Sequence, residues 1–190
     1  MYFLDVPYYS QYQNVLEPKW HSRACGVTCA KMIIKYFYPD NDESIDALID
    51  EGVKIGGYGE NGWDHEALVR IFRNRGIFAY REEFKSQLVS LGKNSGTPSI
   101  YDAKMAKAGI KKIAQMLKAG RPVVVSVSAG FDQNKSSHLI VITGFEKDDD
   151  GDIAGFMYND PDTKKGIKKN LFVERGKFEE FWRRLCIFVA

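Results

Sequence analysis

The run from Cys25 to Phe37 constrains this chain more than any other stretch. Wound as a helix, it puts Val27, Ala30, Ile33, Ile34 and Phe37 on one face and Cys29, Met32 and Tyr36 on another. A helix apolar most of the way round has no side to give to water, so it must lie inside a domain with other elements packed about it. Pro39 stops it, because a residue before proline disfavours the helical region. The chain has 190 residues, 44% hydrophobic and 13% aromatic. That is enough apolar matter to surround such a helix, in one medium domain or two small, tightly packed lobes.

The rest of the chain changes character near residue 120. Before it, Tyr2 to Gln13 reads as an extended edge segment carrying Pro7, which an edge tolerates and a central strand does not. Ser44 to Asp50 is a short helix capped by Ser44, and Asp64 to Asn74 a second, ended by Gly76. Ile110 to Leu117 is a third, stopped by Gly120. Gly56 to Gly62 and Gly92 to Asp102 are loops, and Phe78 to Phe84 is a strand. After residue 120 come β-branched or aromatic runs between turn formers: Pro122 to Val127, His138 to Phe145, Ile153 to Asn159, Leu171 to Glu174 and Cys186 to Val189. A helix bearing Phe181 and Trp182 is expected over Phe178 to Arg184. The reading is an α+β fold in a single domain over 1–190, with a mainly helical lobe over about 1–120 and a mainly β lobe over about 121–190.

Charge and cysteine usage narrow the function classes. With 27 basic and 25 acidic residues the net charge is +2, which gives no case for a nucleic-acid partner. Lys164, Lys165, Lys168 and Lys169 form the densest basic cluster and read as a solvated hairpin. Three cysteines make no disulfide framework. Cys25 and Cys29 lack a second ligand pair at zinc spacing, and Asp148 to Asp152 lacks the length and closing Glu of a calcium loop. No metal or cofactor is expected, and the acidic run reads as a hairpin turn. No stretch is long and apolar enough to span a membrane. A monomer is expected, cytoplasmic if Met1 is the native start and secreted or surface-anchored if a signal segment was removed.

Cys25 stands where a polar loop meets the buried helix. The first turn of a helix presents unpaired N–H groups and partial positive charge, which favour a thiolate over a thiol. Cys29 and Cys186 read as core. Among three histidines, His138 opens an apolar strand at its junction with a loop, where a rigid sheet presents a side chain to a cleft. His21 lies in a loop and His65 in a surface helix, where a solvated imidazole is expected. If the strand ending at Asp160 pairs with that of His138, the carboxylate and imidazole meet at one rim, and the acid can fix the tautomer of the base. Asn159 and Asp162 are the alternative orienters, with Asn159 and Asp160 pointing to opposite faces.

Three strings together resemble the C39-like cysteine peptidases of papain-like fold. Asp5-Val6-Pro7-Tyr8-Tyr9-Ser10-Gln11 resembles the family's opening, and Ala24-Cys25-Gly26-Val27-Thr28 its Cys-Gly-Pro-Thr motif, with Val27 in place of the proline. His138 to Gly144, followed by Asn159-Asp160-Pro161, resembles its histidine strand and Asp-Pro. Gly62-Trp63 with His65 and Leu68, and the late Phe178 and Trp182, add to the likeness. The resemblance implies a Cys25–His138–Asp160 triad acting through an acyl-enzyme on a peptide or peptide-like amide. It also implies that Gln11 supplies the oxyanion hole, with Gln13 as the alternative. An acyltransferase or transglutaminase-like enzyme would use the same residues, and a peptide-binding module without turnover is the reading from another class.

Overall fold

A computed structural model describes residues 1–60, 62–87, 99–100 and 103–190. In chain order the elements are β1 (Tyr2–Phe3), α1 (Cys25–Phe37), α2 (Ile45–Lys54), β2 (Tyr58–Gly59), β3 (Gly62–Trp63), α3 (His65–Arg73) and β4 (Ala79–Glu83). There follow β5 (Ser86–Gln87), β6 (Ser99–Ile100), α4 (Ala103–Lys118), β7 (Val123–Ser128), β8 (Ser137–Lys147), β9 (Ile153–Asn159), β10 (Leu171–Glu174), α5 (Arg175–Phe181) and β11 (Trp182–Val189). The expected loop over Gly92 to Asp102 lies outside the described residues apart from 99–100.

One antiparallel sheet runs β10-β9-β8-β7-β11-β4, with β1 added to β8. β8 is its axis. Its residues from His138 to Phe145 are all buried, which a run of Leu, Ile, Val and Phe permits on both faces. Against β8 packs α1, with α2 and α3 beside it, so the all-round apolar helix is covered as its sequence requires. At Gly144 a neighbour's backbone comes very close to β8. A Cβ there would lie within 3 Å of Tyr2 O and of Met157 Cε, and the β8–β9 register shifts at the same point.

The structure departs from the expected elements in four places. The first is the stretch expected as a loop over Gly56 to Gly62, which carries β2 and the start of β3, pairing Tyr58 with Trp63 and Gly59 with Gly62. β1 and β4, from the first half of the chain, join the sheet built mainly from the second half, because β8 and β11 would otherwise leave backbone groups unpaired. α4 begins seven residues before the apolar repeat does, since Ala103 to Gly109 is mostly Ala, Lys and Met, strong helix formers needing no apolar face to propagate. The helix expected over Phe178 to Arg184 is instead α5, ending at Phe181. Trp182 already pairs with Val127 as the start of β11, and Arg184, at φ 60°, sits in an irregularity between Trp182 and Cys186. An aromatic side chain fits a strand as readily as a helix, and stacking of Trp182 on Phe178 holds the corner.

Candidate active site

Cys25 is the first residue of α1, and no side chain caps that helix: Ala24 occupies the cap position. The first-turn N–H groups are therefore left for another acceptor. Cys25 lines one cleft with His138 and Leu139. Burial pushes the thiol up, but the hydrogen bond and charge of His138, with the backbones of Leu139 and Gly26, outweigh it and hold Cys25 below the ordinary thiol value. Cys29, one turn further in, donates to Leu139 O at 3.3 Å and is pushed far up by burial. Cys186 is likewise buried and pushed up. Of the three cysteines, only Cys25 is held below the ordinary thiol value.

His138 enters the site from β8, fixed opposite Val127 of β7. Its Nε2 lies 2.7 Å from Asp160 Oδ1, which leaves Nδ1 for the cysteine. Burial alone would lower the imidazole; Asp160 and Cys25 overcome it and push His138 up to about 10. Asp160, just past the end of β9, also accepts from Asp162 N at 2.9 Å, and Lys168 Nζ stands 3.7 Å from its other oxygen. Burial raises this carboxyl, yet the bond and charge of His138, that N–H and Lys168 bring it below its usual range.

The alternative orienters are committed elsewhere. Asn159, on the opposite face of the strand end, donates to Val6 O and accepts from Asn170 N. Asp162 meets Asp160 through its backbone. Gln11 is buried; its Nε2 donates to His21 O at 2.8 Å, and its Oε1 has no partner. Gln13 is exposed and bonds Gly166 O at 2.9 Å, away from the cleft. The His21 ring faces Val15 O.

Beside Cys25 and His138 opens a cleft of about 150 Å³. Its far wall is Tyr58, Trp63 and His65, with Ser126 at its floor. Trp63 is anchored by a 2.7 Å bond from Nε1 to Arg23 O and by ring contacts with Tyr58 and Trp20. The solvated His65 expected from its helix is a correction. Asp64 caps α3 and so turns its first residue into the cleft, where burial first and Arg81 second hold the imidazole below its ordinary value. The alternation Trp63, His65 on either side of a capping Asp was the signal for this wall.

The N-terminal segment braces the turn that follows Asp160. Tyr8 Oη donates to Asp160 O at 3.1 Å, Gln11 N to Pro161 O at 3.0 Å and Ser10 Oγ to Thr163 O at 2.6 Å, while Lys169 pairs with Asp5. The lysine-bearing connection from β9 to β10 is thus strapped to the chain's opening residues. Among the described residues no His, Cys, Asp and Glu side chains cluster as a metal would need, and no helix is long and apolar enough to cross a membrane.

Comparison with known proteins gives a consistent picture. Residues 3–186 match the family described as Peptidase_C39 like family. No curated protein matches by sequence. Among solved structures, a protein of Bacillus anthracis described as a C39-like peptidase superposes with TM-score 0.63 at 18% identity, covering 100% of this chain and 96% of the other. The peptidase domain of Streptococcus ComA, a bifunctional ABC transporter of a quorum-sensing pathway, gives 0.58 at 15% identity, with 100% and 98% covered. A double glycine motif protease from an AMS/PCAT transporter, in complex with the leader peptide, gives 0.57 at 15%, with 98% and 92% covered. At these identities the likeness is one of fold: helices and an antiparallel sheet in the papain-like arrangement.

Proposed function

The chain belongs to the Peptidase_C39 like family, and we propose that it hydrolyses a peptide bond through a Cys25–His138–Asp160 triad, acting as one papain-like domain. The observation that carries this reading is the position of His138, bonded through Nε2 to Asp160 at 2.7 Å and lining one cleft with Cys25. An imidazolium and a thiolate at the N-terminus of a buried helix stabilise each other, so the pair rests in the charge-separated form that attack requires.

The thiolate attacks the carbonyl carbon of the substrate, and the negative charge moves to the carbonyl oxygen. The Cys25 backbone N–H is one donor for that oxyanion. Gln11 is the second: Nε2 carries two hydrogens and spends one on His21 O. His138 then gives its proton to the leaving amine, and the C–N bond breaks to leave a thioester. Water, deprotonated by the now neutral His138, attacks the thioester, and the acid departs with the thiolate restored. Asp160 stays ionised and holds the tautomer throughout. A peptide fits the cleft beside Trp63 and His65.

The test is cleavage of a peptide library followed by mass spectrometry, with Cys25→Ala beside the wild type. Turnover is expected to fall by about 10^4-fold or more, and iodoacetamide near neutral pH is expected to label Cys25 while sparing Cys29 and Cys186. Undiminished cleavage by Cys25→Ala would sink the proposal.

A further inference from the structure

The structure holds a second concave site, about 360 Å³, between α4 and the β8–β9 hairpin, and nothing in the proposed chemistry uses it. Its walls carry Lys107, Lys111 and Lys118 from α4, Lys147 from the end of β8, and Arg175 from the start of α5. Its floor is apolar, from Ile110, Ala114 and Ile153. Arg175 is answered by Glu179 at 2.7 Å and lies in the field of Asp152 and Asp148. The four lysines are not answered: among the described residues none has an acidic partner, as is also true of the more scattered Lys54 and Lys177. Lys118 instead lies over the Phe145 ring. In a chain of net charge +2, four unpaired cations around one groove are a concentration that the average hides.

We propose that this groove binds an extended acidic peptide segment with apolar residues between its carboxylates. Spacing favours a peptide over a compact anion. Lys107 to Lys118 spans about 16 Å of helix, too far for one phosphate to reach, and Lys107 and Lys111 stand about 6 Å apart along the axis. Alternate residues of an extended chain repeat at about 6.8 Å, close to the Lys107–Lys111 spacing, which sets carboxylates at every second residue against these two lysines while the side chains between turn to the opposite wall at Ile153. No aromatic ring lines the groove, so it offers nothing for nucleic-acid bases to stack on. Lys147 stands nine residues along β8 from His138, about 30 Å away, so occupancy of the groove leaves the cleft at Cys25 free.

The test is fluorescence anisotropy of a fluorescein-labelled alternating Glu-Leu peptide, needing no turnover and so independent of the Cys25 mechanism. The peptide is expected to bind, at least tenfold more tightly in about 50 mM than in about 500 mM NaCl. The double variant Lys107→Glu, Lys111→Glu is expected to lose at least tenfold in affinity. The same charge change at Lys164 and Lys165, outside the groove, is expected to keep it. Thermal melting confirms that each variant folds, and Lys107→Gln, Lys111→Gln is expected to lose less than the reversal. Four results would each overturn the proposal: no binding; equal binding of a Gln-Leu peptide; tighter binding of a thymidine oligonucleotide or of phosphatidylglycerol vesicles; or a groove variant that alters sedimentation because the groove holds the Asp148–Asp152 turn of a second copy.

Discussion

His138 bonds Asp160 through Nε2 and lines one cleft with Cys25, and its charge depends on both. Asp160 and Cys25 together hold the imidazolium up to about 10 although burial opposes it, while the same imidazolium holds the Cys25 thiol below its ordinary value. The reactive pair exists above the cysteine's pKa and below the histidine's. The rate of Cys25 alkylation, and of any peptide turnover, is therefore expected to follow a bell whose lower limb lies below the usual thiol range and whose upper limb falls toward about 10. Asp160→Asn removes the charge that favours imidazolium. His138 then loses its proton at lower pH and stabilises the thiolate less, so the upper limb moves down, the lower limb moves up and the bell narrows. Turnover at the optimum is expected to fall by about 10^2-fold or more. A pH–rate series on both proteins measures this, and an unmoved upper limb in Asp160→Asn would rule out the carboxylate as the source of the shift.

Elements were legible in proportion to how far their own residues decide them. The limits of α1, β9 and β10 follow from the chain itself, through Pro39, the acidic turn before Ile153 and the β-branched and aromatic runs. Cys25 and His138 could be placed because each sits at a junction between loop and apolar run; Asp160 needed the extra assumption that β8 and β9 pair, and they do. The Trp63–His65 wall left only a local trace in the alternation about Asp64, and the lysine groove was not legible, because it joins α4, the end of β8 and Arg175 by packing alone. α5 and β11 exchanged residues because Trp182 satisfies either element until Phe178, Phe84 and the sheet decide. Gly109 belongs to the same corner. By propensity, Gly109→Ala in α4 should gain about 1 kcal/mol. A Cβ there would stand within 3 Å of the Trp182 and Phe84 rings, both buried, and such overpacking costs about 1–3 kcal/mol. The clash is with ring atoms that have nowhere to go, so the cost wins. Urea or thermal unfolding is expected to show Gly109→Ala destabilised, with Tm lower by a few degrees; a gain in stability would mean that the corner relaxes freely.

Across the whole molecule, the site is a meeting of four separate stretches: the start of α1, the start of β8, the residue after β9, and the N-terminal strap. The sheet fixes His138 through β7, opposite Val127, but Asp160 lies just beyond the last β9 pair, at the head of an eleven-residue connection to β10. Something outside the sheet must hold that connection, and Ser10 is best placed to do so. Its fully buried hydroxyl donates to Thr163 O at 2.6 Å and accepts from Tyr12 N and Gln13 N at 3.1 and 3.2 Å, joining the Asp160–Thr163 turn to the backbone around Gln11. Ser10→Ala leaves a carbonyl and two N–H groups short of a partner, at about 1–3 kcal/mol for each that stays unsatisfied. Loss of stability alone would follow from any such cavity. A positioning role requires more: kcat should fall in the fully folded protein well below its Tm, while the pH limits of the bell stay where they are, since the Asp160 charge is still present. Thermal melts and a pH–rate series on Ser10→Ala measure both. A variant that melts earlier but turns over peptide at the wild-type rate would show that the strap holds the fold together without holding the carboxylate in place.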